Sequence, residues 1–375
     1  MTKHDKKGGL RTTLTIALLL ALAAGAVLIF IYRDALTPES IREFFMGPDA
    51  SFEEGIDPFA YETSPGQSFA VAGDGLAAVS TTGLRLFDKN GVLAASQVIS
   101  IARPSVAAAG KHAAFFDIGG KTLRVASFDG EISVLDTEYP IINCTMNKNG
   151  WLCVITEDAG YRSLVTVYNN YLSEAYKWHS GSRYVLSASV SPDNRFLAAL
   201  CAGADGGGVV LFSLSSQDEH ASLAAPDELL IDMTFLGNSR LCALSEERII
   251  FFDLSGTILG EYSFGGCFLT DYSLTGGSFV GLLLGKYRSG NEGELVTLDN
   301  AGNVLGQLEV MSDYLSISTS GNRLLALEAG GLTLYSDKLA ERGGLEDVSG
   351  VRLALLLNDS EAFLLTSYAA SKHKL

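Results

Sequence analysis

Histidine is scarce in this chain, and what there is falls into no metal-binding pattern. The five are His4, His112, His179, His220 and His373. None has an HxxxH or HExxH spacing, so a metal centre has no support. The five cysteines, Cys144, Cys153, Cys201, Cys242 and Cys267, form no CxxC pair and no zinc spacing with histidine. They read as small apolar core residues. Cys144 and Cys153 flank the turn "MNKNG" symmetrically, which leaves a disulfide across a hairpin open. A GxSxG elbow, a P-loop and a GxGxxG following a strand are also missing. The glycine-rich "GADGGG" (203–208) joins two strands as a flexible loop and cannot offer a helix N-terminus to phosphate. Positive charge is short too. Lys and Arg number 27 against 43 Asp and Glu, a net charge of −16, which argues against a nucleic-acid partner. These absences predict no cofactor, no metal and no catalytic residue set.

What the chain does have is apolar content and glycine. It is 47% hydrophobic and only 19% charged, enough to form a buried core. Forty glycines against eight prolines point to many tight turns and few rigid linkers.

A single long apolar run lies near the start. Thr12 to Tyr32 carries no charge over 21 residues, the length that spans a bilayer as a helix. Lys3, Lys6, Lys7 and Arg11 precede it, whereas Arg33 is followed at once by Asp34. The positive-inside rule then predicts a cytoplasmic tail (1–11), a transmembrane helix (12–32) and an extracytoplasmic remainder. "ALAAGA" (21–26) resembles a signal-peptide cleavage region. The apolar run continues through "VLIFIY", however, which favours an uncleaved signal-anchor and a single-pass membrane protein. Five of the basic residues and one of the acidic residues precede Asp34, so the rest carries 22 against 42, a net of −20. Residues 33–67 read as a juxtamembrane helix ("LTPESIREFF", with Thr37 as N-cap and Pro38 at the first helical position) and a linker.

The remainder repeats. One phrase, an apolar strand, an aromatic residue or Leu, an Asp or Asn, and then Gly, recurs seven times. "LRLFDKNGVLAAS" (84–96) and "RIIFFDLSGTILGEYSF" (248–264) are examples. Each reads as a β-hairpin, and Asp88, Asp129, Asn169, Asp253 and Asp299 suit Asx side chains bonding the turn backbone. Between them lie eight hairpins richer in small and apolar residues, from "SFAVAGDGLAAVS" (68–80) to "RLALLLNDSEAFLLT" (352–366). These suit inner strands covered on both faces. The spacing is about 41 residues, the repeat of a four-stranded blade in a β-propeller. The expected fold is therefore all-β: a propeller of eight four-stranded blades, alternatively seven, over 68–367. The C-terminal tail (368–375) is too short and polar for two more strands. In the eight-bladed form, residues 52–62 complete the last blade.

The stretch "YVLSASVSPDNRFLAALCAGADGGGVVLFSLSS" (184–216) resembles a WD40-type or TolB-type blade, with its "SPDNRFLA" turn. The WD and GH dipeptides of true WD40 repeats are absent. So are the tryptophan docking motifs of quinoprotein propellers, since only Trp151 and Trp178 occur. The layout of one anchor helix and an outside propeller resembles uncharacterised bacterial membrane-anchored families of unknown function. That resemblance implies topology, not activity.

In a propeller, loops joining second to third strands and those between blades share one face, and the hairpin turns share the other. The first set varies in length: 156–164, 177–185, 203–208, 215–229 and 285–294. Variable loops on a rigid scaffold are where binding concentrates. They hold Tyr161, Arg162, Trp178, Arg183, Tyr184, Tyr287 and Arg288, residue types enriched at interfaces. Acidic pairs such as Glu157–Asp158 read as solvated. The expected role is a membrane-anchored extracytoplasmic binding or scaffold protein that recognises a protein, peptide or envelope polymer such as a polysaccharide. The alternative is a propeller hydrolase or lyase acting on cell-wall or extracellular glycans.

Overall fold

The structure, a computed structural model, describes residues 55–61, 64, 66–204, 206–288, 292–311 and 314–375. The expected membrane span (12–32) and the helix after it lie outside the described residues. Among the described residues there is no helix. There are 32 strands, in eight four-stranded antiparallel sheets.

The first blade sets the pattern: Ser68–Ala72, Gly75–Ser80, Gly83–Phe87 and Leu93–Val98, in that spatial order. Six blades of the same order follow. They begin at Pro104, Ile141, Tyr184, Leu230, Phe268 and Tyr314. First strands of successive blades approach one another, so they surround the axis. The recurrent phrase is the third and fourth strand of each blade. Arg248–Asp253 and Ile258–Ser263 are the third and fourth strands of blade 5.

Blade 8 closes the ring from both ends of the chain. Its inner strands are Leu353–Leu356 and Glu361–Leu365, its third is Ala369–Lys374, and its outermost is Gly55–Ala60. The segment read from sequence as a tail is thus a strand, and the propeller runs past residue 367. The reason is its place inside the sheet, between Glu361–Leu365 and Gly55–Ala60. Ala370, Ser371 and His373 are buried, while Lys372 reaches Glu361 at 3.0 Å. Polar residues in a strand sandwiched between partners need only local bonds, and the Nε2 of His373 meets the Ser371 hydroxyl at 2.8 Å. Burial holds His373 below its usual pKa.

Apolar residues of facing sheets form the core between blades. One such layer unites Phe196, Leu211 and Leu223 of blade 4 with Leu241, Ile250 and Phe252 of blade 5. Another unites Leu76 and Phe87 of blade 1 with Phe363 and Ala370 of blade 8. Each fully buried Leu, Ile or Phe contributes roughly 1.5–3 kcal/mol.

Turn chemistry explains the repeated Asx-Gly. The Oδ1 of Asp253 accepts from the amides of Ser255 (2.8 Å) and Thr257 (3.0 Å), and Gly256 follows at φ 77°. Asp88, Asn169 and Asp299 repeat the arrangement. Asp129 departs from it. Ser127 opens that turn, its carbonyl accepting from Gly130.

All five cysteines are free. Cys144 pairs with Val154, and Cys153 with Thr145. The two thiols are one register step apart, so they point to opposite faces: Cys144 into the layer shared with blade 2, Cys153 into that shared with blade 4. A disulfide between them is excluded. Burial pushes the thiols of Cys144, Cys153, Cys201 and Cys242 above their usual pKa.

Candidate functional site

Strand direction sorts the connections onto two faces. Loops between second and third strands, and the connectors between blades, share one end of the strands and make the loop face. The hairpin turns make the turn face. Three of the loops expected to vary turn out otherwise: of 177–185, only residues 181–183 lie between the strands Glu174–Ser180 and Tyr184–Val190. Of residues 203–208, Gly203 ends the strand Phe196–Gly203 and Gly206–Gly208 open the strand Gly206–Ser213. Within 215–229 lies the outermost strand of blade 4, Glu219–Ala225, so the start of that stretch belongs to the turn face.

Four of the seven sequence-selected residues meet on the loop face where blades 3 and 4 adjoin. Tyr161 and Arg162 end the loop of blade 3 that precedes the strand Ser163–Tyr168. The amide of Arg162 donates to the Ser180 carbonyl at 2.8 Å, which fixes the loop's end. Arg183 lies in the three-residue connector, and Tyr184 opens the inner strand Tyr184–Val190. Nη1 of Arg162 donates to the Tyr184 hydroxyl at 2.9 Å. Its guanidinium also lies 5.2 Å from the centroid of that ring. The pair is a pre-set cation–π unit with both tyrosine rings half exposed.

Trp178 does not belong with them. It sits inside the outermost strand Glu174–Ser180, opposite Val165, and packs on Phe212 of blade 4 with centroids 4.7 Å apart. Strand alternation sends it inward with Tyr176, into the layer between the blades. Its role is structural. Tyr287 and Arg288 are exposed on the loop face, but in blade 6. There the Arg288 guanidinium lies 5.4 Å from the centroid of Phe268, and Lys286 lies 5.9 Å from that of Tyr287. Lys286 also pairs with Glu292 at 3.2 Å, a hydrogen bond that raises its pKa.

The sequence reading missed one pair. Asp158 is not solvated: its side chain is 5% exposed, and its Oδ2 lies 2.6 Å from Nδ1 of His179. The His179 ring in turn stacks near Tyr161, centroids 4.9 Å apart. The neighbouring connector brings up Tyr139, whose pKa is raised first by the charge of Glu138 and further by Asp158. Register is the signal that locates the pair, since His179 stands opposite Leu164, six residues past Asp158. Without the strand pairing, nothing in the sequence brings these two together. A buried carboxylate holding an imidazole is an orienting device. Among the described residues no hydroxyl, thiol or second carboxylate is bonded to the other ring nitrogen, and no group of three His, Cys, Asp or Glu is placed to hold a metal ion.

The sequence pattern of a family of unknown function (DUF5711) matches residues 57–342. The chain belongs to that family. The match takes in six blades, the first three strands of the seventh and most of the closing strand Gly55–Ala60. No curated protein matches the chain by sequence. Solved structures share its architecture at low identity. The crystal structure of BamB from Moraxella catarrhalis gives a TM-score of 0.55 at 12% identity, over 85% of this chain and 100% of that one. The C-terminal WD40 domain of Sif2 gives 0.61 at 13% identity, over 86% of this chain and 98% of that one. These likenesses establish the propeller fold in this DUF5711 member.

Proposed function

We propose that the protein is a single-pass, membrane-anchored propeller whose ring lies outside the cytoplasm and docks a protein partner on its loop face. The observation that carries this is the pre-organised Arg162–Tyr184 unit, flanked by exposed Tyr161 and by Arg183. Side chains already held in place lose little freedom on binding, and Tyr and Arg are the residue types that dominate interface energetics. The strand Gly55–Ala60 runs from the turn face to the loop face, since Gly55 stands opposite His373 and Ala60 opposite Ala369. The charge asymmetry around 12–32 supports an N-terminus in the cytoplasm.

The alternative, an enzyme acting on glycans, gains the Asp158–His179 pair, with Glu138 near it across Tyr139, but among the described residues no second carboxylate or nucleophile is bonded to that pair. Glycoside hydrolysis needs two converging carboxylates. The binding role is the better fit.

The test has two arms. A reporter fused after Leu375 should be active only outside the cytoplasm. Partners captured by crosslinking in cells should be lost when Tyr161, Arg162, Arg183 and Tyr184 are replaced together by Ala, with the melting temperature unchanged. Cytoplasmic reporter activity refutes the topology, and an unchanged partner set refutes the site.

A further inference from the structure

The innermost strands of blades 3 to 7 share a defect. Each carries a β-bulge near its loop-face end, where one extra residue is left opposite no partner. The extra residues are Ile142, Leu186, Ile231, Thr270 and Leu315. A bulge re-aims a side chain out of the sheet's alternation. In four of the five the effect is plain, because the residue before the bulge is buried or half-buried while the bulged one is exposed, and three of those four are apolar. Leu186 is 38%, Ile231 36% and Leu315 50% exposed.

These side chains belong to strands whose free edge borders the axis. They therefore ring the mouth of the central channel. Above them, at the rim, stand further exposed apolar residues: Tyr184 in blade 4, Leu229 in blade 5 and Phe268 in blade 6. The result is an apolar arc over four consecutive blades. Scattered apolar residues are normal on a surface, whereas a contiguous patch marks an interaction site.

Charges of both signs stand near the arc: Asp227, Glu246 and Glu247 are exposed on the loop face at blade 5, whereas the guanidinium groups flank the arc in blades 3, 4 and 6. Arg162 lies over Tyr184 and Arg288 over Phe268. Neither these two nor Arg183 forms an ion pair among the described residues, in a chain of net charge −16. By contrast Arg248 is bound to both Glu228 (2.8 Å) and Glu261 (2.7 Å). The acids of the same inner strands are occupied by the backbone. Asp232 accepts from the Met233 amide, and Asp271 from those of Tyr272 and Ile317, each at 2.8 Å. The arc thus displays apolar surface and unpaired guanidinium groups together.

We propose that this arc is a docking groove for an amphipathic segment of a protein partner, apolar on one side and acidic on the other. The inference rests on the loop-face reading above and names the chemistry of what docks there. Its apolar side seats on Leu186, Ile231 and Leu315, and its carboxylates meet Arg162, Arg183 and Arg288, where forked bonds to guanidinium are strongest. A bilayer fits less well. The bulged residues lie below the rim, and an anionic membrane would face the whole acidic ring, whereas a short segment feels chiefly charges within about 8 Å. A second copy of the chain would set one acidic ring against another.

The test uses the full chain in lipid nanodiscs and fluorescence anisotropy. The probes are a labelled Leu/Glu amphipathic peptide of about 18 residues, roughly five helical turns, and a Leu/Lys peptide with the same Leu positions. The Leu/Glu peptide should bind at least about tenfold more tightly than the Leu/Lys peptide. Leu186→Ser with Ile231→Ser should weaken it by about tenfold or more, while Tyr171→Ser on the turn face should leave it unchanged. Both variants alter exposed side chains, and an unshifted melting curve confirms that each is folded. Equal binding of the two peptides, or binding indifferent to the Leu186/Ile231 substitution, overturns the proposal. So does dimer formation or vesicle attachment that this substitution abolishes, which would assign the arc to a second copy or to lipid. If the in-cell partner is lost with Tyr161, Arg162, Arg183 and Tyr184 but survives Leu186→Ser/Ile231→Ser, the loop-face reading stands and the groove does not.

Discussion

Phe252 is next to last in the third strand of blade 5 and is 0% exposed. It lies in the layer shared with Phe196, Leu211 and Leu223 of blade 4. Phe252→Ala removes the whole ring from a space bounded by two sheets. Sheets packed face to face stand about 10 Å apart, held by every other contact in the layer, so the gap cannot collapse. Truncating a buried Phe costs about 3–5 kcal/mol, and a site that relaxes poorly belongs at the upper end. Guanidinium denaturation of the full chain, followed by the fluorescence of Trp151 and Trp178, gives the loss as the shift in midpoint multiplied by the slope. Phe268→Ala is the matched control. That ring is partly exposed at the loop face, and its loss should cost less than about 1 kcal/mol. A cost below about 1 kcal/mol for Phe252→Ala would mean that the side chain faces solvent. The repeat register would then be displaced by one residue, because a single-residue slip exchanges the two faces of a strand.

Other outcomes follow from single residues. His373 is buried with its pKa lowered by desolvation, so folding favours its neutral form. Its contribution is fully present above the unfolded value of about 6.5 and declines as pH falls from there toward the folded value. His373→Gln should flatten the acid limb of a stability-against-pH curve, and an unchanged limb would discard the idea. Gly302 lies at φ 86°, and a Cβ there would come 2.9 Å from Cδ2 of Phe251. Gly302→Ala should therefore destabilise by about 1–3 kcal/mol in the same denaturation assay. A non-reducing peptide map should show Cys144 and Cys153 unlinked, and titration with a thiol reagent should require denaturant to reach the four buried cysteines.

Blade architecture was legible because it is written in period and spacing. The Asx-Gly turns fall about 41 residues apart, and small apolar residues fill the inner hairpins on both faces. The closing strands were half legible. Residues 52–62 could be assigned to the last blade, but Ala369–Lys374 looked too polar, because burial of Ser371 and His373 depends on partners supplied by the other end of the chain. Trp178 misled for a related reason: aromatic residues near a loop boundary mark a site or a packed strand end, and only its alternation with Tyr176 separates the two. The bulges could not be derived. Their trace in the sequence is a pair of adjacent apolar residues, Val185–Leu186 or Leu230–Ile231, at the start of an inner strand. Strict alternation would send one of each pair into a neighbouring blade. The extra residue sends it to the channel instead, and that depends on pairing register rather than on composition.

The account's central claim is that the loop face carries the partner. Photo-crosslinking amino acids placed singly in the full-length protein in its native membrane test this most directly. Tyr161 and Leu229 represent the loop face, and Tyr171 and Val304, also exposed, represent the turn face. Irradiation should give one shared protein adduct from Tyr161 and Leu229 and none from Tyr171 or Val304. An adduct formed only from the turn-face positions would contradict the account.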